Sequence, residues 1–207
     1  MTQDSFAVSE KFNSFVWFPP RSSTHTFSWI FGHYNFKIYY PSDDGGIEVL
    51  DSYSNHLGHF FCYPPNHENM TFICTTRNPY ERIFSMFKFG RYNFRRIRLG
   101  FASVPTKEDF EKFYTDFVEK HLKSYKPIFN HRRPDYVIRN ENMFEDLLKI
   151  PFVRDSKLNT CGILEEMCQS KLNSSPQLDL NQYIDERMKN IIYEEFKEEF
   201  EIGNYQK

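Results

Sequence analysis

Apolar runs broken by short polar stretches recur along this chain, and the period of the apolar positions changes from one run to the next. Residues 12–18 are apolar and aromatic and are stopped by Pro19-Pro20, which cannot donate to a sheet ladder, so a short buried strand is expected there. A polar turn, Arg21-Ser22-Ser23-Thr24, follows. From Ser23 or Thr24 a helix is expected, carrying Phe27, Trp29, Ile30, Phe31 and Tyr34, with hydroxyls placed to cap its first amides. Residues 36–40 predict a second strand, ended by the loop composition PSDDGG, and residues 47–61 predict a segment helical in part. The run MTFICTT at 70–76 predicts a third strand, covered on both faces as in a parallel sheet. Asn78-Pro79 then opens a helix with Ile83, Phe84, Phe87 and Lys88 at three- and four-residue spacing.

The clearest helical stripe is Phe110, Phe113, Tyr114, Phe117, Val118, His121 and Leu122, over residues 107–125, with Thr106 as cap and Asp109 three residues on. Residues 136–139 predict a fourth strand, 143–150 a short helix, and 185–200 a terminal helix with Met188, Ile191, Ile192, Phe196 and Phe200 inward. Alternating strands and helices imply an α/β fold with a parallel sheet. No internal repeat or linker interrupts 207 residues, so one domain over 1–207 is expected, with SKLNSSPQ at 170–177 as a surface connection.

Composition narrows the function classes. The 26 basic and 28 acidic side chains leave a net charge of −2, so no global field advertises nucleic acid or a membrane surface. An aromatic content of 18% excludes a disordered chain, which lacks residues that repay ordering entropy. There is no apolar run long enough for a membrane span and no basic-then-apolar leader in residues 1–10, so a cytoplasmic protein is expected. Cys62, Cys74, Cys161 and Cys168 form no CxxC pair, and reduced thiols are expected rather than a disulfide scaffold or zinc cage. The Asn69-Met70-Thr71 and Asn173-Ser174-Ser175 sequons matter only in a secretory setting.

Two turns have anion-binding chemistry. In Pro20-Arg21-Ser22-Ser23-Thr24-His25-Thr26, hydroxyls and a guanidinium meet the amides at a helix start, although an ordinary capped turn has the same residues. It is no Walker A loop, having neither the glycines nor the lysine. In the second, Arg77 follows the strand at 70–76, at the sheet edge where α/β folds hold ligands, and a guanidinium there can grip a phosphate bidentately. Arg82 reads equally well as a solvated helix residue. Lys88, Arg91, Arg95, Arg96 and Arg98, interleaved with aromatics and free of acids to residue 104, make a local basic patch. It suits an anionic glycan or a nucleotide, or else pairing with the acidic C-terminus.

The stretch TFICTTRNPYERIFSMFKF resembles the 3′-phosphate-binding segment of the sulfotransferase family, a strand followed by Arg-[Asp/Asn]-Pro-[Tyr/Phe]-x-Arg, two apolar residues and Ser. FVWFPPRSSTHTF resembles that family's 5′-phosphosulfate loop, with Ser23 where the family has Gly and His25 where it has a hydroxyl residue. HRRPDYVIRNENMFEDLLKIPF resembles a region of carbohydrate sulfotransferases in which a tyrosine-rich strand leads into a Glu-x-[Leu/Met]-x-x-Asp helix, and MKNIIYEEFKEEFEIGNY resembles the closing helix of many members of the family. The resemblance implies an α/β, three-layer P-loop-like fold with a central parallel sheet of about four to five strands flanked by helices. It implies 3′-phosphoadenosine 5′-phosphosulfate as co-substrate, no metal, and transfer of a sulfuryl group to a hydroxyl, on a carbohydrate, with no nucleic-acid or membrane partner.

Under that resemblance Arg21 neutralises the leaving group, while Ser22, Ser23, Thr24, His25 and Thr26 surround the 5′-phosphate. Arg77 and Ser85 hold the 3′-phosphate, and Arg91, Arg95 and Arg96 face the acceptor. Gly58-His59 resembles the His-Gly-His element of uronic-acid 2-O-sulfotransferases, which makes His59 the expected base, with His56, Glu48, Asp51 and His25 as alternatives. A non-catalytic module of the same fold and an atypical P-loop kinase are the competing readings.

Overall fold

The computed structural model describes residues 5–19, 22–41, 47–50, 67–90, 105–118, 132–170 and 178–207. They divide into two compact units, Met1–Arg77 with His131–Leu172, and Asn78–Asn130 with Asn173–Lys207. The buried apolar side chains divide the same way, into one cluster within each unit.

The first unit is built on a sheet of β1 (Ser5–Ser9), β2 (Ser14–Phe18), β3 (Lys37–Pro41), β4 (Ile47–Leu50), β5 (Thr71–Thr76) and β6 (Tyr136–Arg139). The strand order is β4-β3-β1-β2-β5-β6. This α/β sheet is mixed, and the wholly parallel sheet expected from the alternation is corrected. β2, β5 and β6 run parallel, whereas β1 is antiparallel to both β2 and β3, and β4 to β3. The cause lies in residues 5–13. Ser5–Ser9 forms a strand and residues 10–13 a tight turn closed by left-handed Asn13 (φ 46), a conformation asparagine tolerates, so β1 and β2 make a hairpin and must be antiparallel. Two residues of the expected 12–18 strand, Phe12 and Asn13, belong to that turn. Ile47–Leu50 pairs with β3 as a strand where a partly helical segment was expected.

β2 is buried at all five positions, as a strand with neighbours on both edges and cover on both faces should be. On one face Ala7, Val16, Phe18, Ile38, Ile73 and Ile138 meet helix α1 (Thr24–His33) and four short helices, α4 (Met143–Leu147), α5 (Pro151–Arg154), α6 (Lys157–Thr160) and α7 (Ile163–Gln169). On the other face cross-strand rings stack, Phe15 on Phe72 at 4.7 Å and Phe6 on Tyr39 at 4.8 Å. The start of β6 is pinned to β5 by Asp135, whose carboxylate accepts from the Phe72 amide at 2.7 Å and from Arg132 at 2.7 Å.

The second unit holds α2 (Pro79–Gly90), α3 (Lys107–Phe113), α8 (Glu186–Glu195) and α9 (Lys197–Gly203). α3 has the capping box expected of Thr106 and Asp109, each side chain accepting from the other's backbone amide. It passes into a π turn at Tyr114–Val118 rather than running on as one α-helix. The single terminal helix expected at 185–200 is two, broken at Phe196 (φ −114), and Ile191 faces solvent while Met188, Ile192, Phe196 and Phe200 are inward. The break turns α9 so that Glu199 meets Arg82 of α2. One Arg82 nitrogen donates to both Glu199 oxygens at 2.7 Å, and the guanidinium lies 5.4 Å from the Phe196 ring centre. Arg82 is thus buried and committed to the core of this unit, not solvated. Burial pushes the Glu199 carboxyl up against the pull of Arg82.

Candidate anion-binding edge of the parallel strands

The candidate site is the edge where the adjacent parallel strands β2, β5 and β6 of the first unit end. From β2 the chain passes through α1 to β3, on the far side of β1, while β5 lies against the opposite edge of β2. The connections therefore depart in opposite directions at the β2/β5 boundary, and in open α/β sheets ligands bind outside the carboxyl ends of strands at such a switch point. The parallel trio is sufficient for this, because the rule concerns β2 and its neighbour β5.

Contacts of hydroxyl side chains assemble the edge. Ser22 lies just beyond β2, fully buried, and its Oγ is 2.7 Å from the Pro19 carbonyl, to which it donates, and 3.0 Å from Thr75 Oγ1. Its amide also bonds Pro19, at 3.3 Å, so Ser22 serves the turn internally and brings it against β5. Thr24 Oγ1 donates to the same carbonyl at 3.3 Å, and Thr75 Oγ1 reaches the Trp17 carbonyl at 3.3 Å. Ser23 Oγ donates to Asn140 Oδ1, just past the end of β6. The turn after β2 is thereby tied to both of its parallel neighbours. Arg77, half-buried, stands immediately after β5, two residues from Thr75.

The expected cap at Ser23 is not formed. Ser23 is left-handed (φ 61, ψ 35), and α1 has no side-chain cap, because the hydroxyl that would accept from the first-turn amides is turned to Asn140. Thr24 and Thr26 are buried, and His25 is half-buried at the first turn. Ser85 lies within α2, in the second unit, whereas Arg77 closes a segment of the first. Arg21, His56, His59, Arg91, Arg95 and Arg96, together with the alternative base Asp51, lie outside the described residues. Glu48 falls on β4, paired with Tyr40 of β3.

Behind the edge stands a carboxylate that sequence patterning did not single out. Asp146 of α4 is 1% exposed and accepts from the Arg139 amide at 2.9 Å, Arg139 Nε at 2.8 Å, Arg139 Nη2 at 3.0 Å and Lys149 Nζ at 2.5 Å. Burial by itself raises its carboxyl, but the hydrogen bonds from Arg139 and Lys149 outweigh that and hold it below the usual carboxylate range. It fixes the backbone and side chain of the last β6 residue, directly before Asn140. Asn140 and Thr75 were also missed, although their places at the ends of expected strands are the signal that finds them. Thiol chemistry is disfavoured at two of the cysteines. Cys74 is buried, and burial, with Glu145 and Glu165 adding, pushes the Cys168 thiol up to about 12.

No protein-family model, curated protein or solved structure matches this chain. Among the described residues no helix is long and apolar enough to cross a membrane.

Proposed function

We propose that the chain is a sulfotransferase that uses 3′-phosphoadenosine 5′-phosphosulfate, in a P-loop-like fold, with a hydroxyl of a carbohydrate as acceptor. The observation that carries this reading is the backbone of Ser23. It stands where the 5′-phosphosulfate loop of the sulfotransferases has glycine, and its φ of 61 is the conformation for which glycine is the default residue. This left-handed residue lies just after β2 at a switch point, with Arg77 following the neighbouring strand. Those are the two positions at which the resemblance puts the 5′ and 3′ groups of the donor.

The donor's charge fits what the edge offers. Anionic oxygens are favoured at the start of a ten-residue helix whose cap hydroxyl is turned elsewhere, and by a guanidinium at the next strand end. In the reaction the sulfur–oxygen bond to the donor's 5′-phosphate breaks as one to the acceptor oxygen forms. The acceptor proton goes to a base, His59 in this proposal with His56 as the alternative, and Arg21 neutralises the charge growing on the departing phosphate oxygen. Positioning and electrostatics supply the rate, as in phosphoryl transfer, and no metal is assigned. Arg77 is assigned to the 3′-phosphate, and Arg91, Arg95 and Arg96 to an anionic acceptor.

Calorimetric titration with 3′-phosphoadenosine 5′-phosphate, beside ATP and 5′-AMP, tests the donor assignment. Micromolar binding that requires the 3′-phosphate is expected. Equal affinity for ATP returns the kinase reading, and absence of binding removes the donor. Binding without turnover over a panel of glycans identifies a non-catalytic module.

A further inference from the structure

Ser23 is an unusual occupant of its position. A Cβ disfavours the left-handed conformation, and a serine at a helix start ordinarily caps the amides it precedes. Here the hydroxyl instead donates to Asn140 Oδ1, 117 residues later in the chain and one residue beyond β6, and α1 is left without a side-chain cap. An independent feature marks the same end of α1. Ser28, on the next turn, is 8% exposed, and its Oγ meets no hydrogen-bond partner. Thr24, in the first turn, stands one turn before it on the same side of the helix. A buried hydroxyl without a protein partner is costly and is the kind of group that a bound polar molecule completes.

We propose that Asn140 is a positioning residue for this turn. By accepting the Ser23 hydroxyl it holds Ser23 left-handed and keeps the side chain off the α1 amides, leaving the turn set to receive an anionic oxygen of the donor's 5′ group. A glycine at position 23 would need no such hold, having neither a Cβ to strain nor a hydroxyl to divert. Asn140 is thus required because residue 23 is serine. The binding half of this inference rests on the donor assignment above; the coupling between the two side chains does not.

The test is a double-mutant cycle of wild type, N140A, S23G and S23G/N140A, read by titration with 3′-phosphoadenosine 5′-phosphate and by thermal unfolding without ligand. With Ser23 in place N140A is expected to weaken binding about tenfold, the worth of one such hydrogen bond. In the S23G background the same change is expected to alter affinity by less than about twofold, the ordinary error of additivity. Equal losses in both backgrounds, or no loss in either, overturn the proposal, since general damage from N140A would not depend on residue 23. If the wild type does not bind the nucleotide, the donor assignment falls, and the unfolding midpoints decide the coupling. A midpoint lowered by N140A only when Ser23 is present upholds it, and equal shifts in both backgrounds overturn it.

Discussion

Replacing Asp146 by alanine removes the acceptor on which the end of β6 depends. The carboxylate is 1% exposed and takes three hydrogen bonds from Arg139, one of them from its backbone amide, and one from Lys149. The Lys149 side chain is 59% exposed and returns to water at little cost, so its share is small. Arg139 is 26% exposed, and only part of its loss is recovered by hydration. Breaking a buried pair by removing one partner costs about 3–5 kcal/mol, and partial exposure of the arginine puts D146A near the lower end, about 3 kcal/mol. Urea unfolding with an unchanged slope should show this as a fall in midpoint. The sign of the pH dependence follows from the depressed carboxyl. Asp146 contributes its stabilisation above the ordinary aspartate value, near 4, and loses it as pH falls below that through its own lower value. The stability gap between wild type and D146N should therefore be full at pH 6 and shrink progressively below about pH 4. A D146A cost under about 1 kcal/mol, or a gap to D146N that stays constant through that acid window, would show that the network does not hold β6 as argued.

R77A should weaken binding of 3′-phosphoadenosine 5′-phosphate by about 1.5–3 kcal/mol, the worth of a charge-assisted phosphate contact, with little change in affinity for 5′-AMP. Unchanged titration curves would remove Arg77 from the site. H59A should lower turnover about 10²- to 10⁴-fold while donor affinity is kept, and full activity in that variant would pass the base to His56 or another alternative. R82A should destabilise by about 3–5 kcal/mol in denaturant unfolding by stranding Glu199, whereas replacing both partners with apolar residues of similar volume should recover most of it. Equal losses in the single and double replacements would mean that packing, not an unpaired carboxylate, sets the cost.

The helices were legible where a period and a stop signal coincide. α1 begins at Thr24 after the polar turn, and α2 at Pro79, within a residue of where the pattern puts them. Strands β5 and β6 were legible as short continuous runs, one followed by Arg77 and the other ending on Arg139. β1 was not, since SFAVS is too short to give a period, and its pairing depends on an asparagine accepting a left-handed turn. The two apolar clusters were hidden for another reason. The units exchange the chain at 77/78, 130/131 and 172/173, so no linker or composition shift separates them. The candidate edge was half legible. Its turn residues and Arg77 are local motifs, whereas Asn140 and Asp146 act through contacts that only the pairing of β5 with β6 creates.

The mixed sheet leaves the functional reading intact for a topological reason. What a ligand edge of this kind requires is a β2 strand whose helix departs to one side and a parallel neighbour whose connection departs to the other. β1 enters between β2 and β3 and widens the step that α1 must cross, but it runs antiparallel and so sends no carboxyl end to that edge. Beyond β1, β3 runs in the same direction as β2, but the adjacent strands that build the candidate edge are β2, β5 and β6, and each carries one part of it: Ser22 and Ser23, then Thr75 and Arg77, then Arg139 and Asn140. Hydroxyl contacts from consecutive turn residues bind the first part to the other two. A change that loosens β6, as D146A should, is therefore expected to be felt at Ser23 through Asn140, and under the proposed function it should weaken donor binding as well as stability.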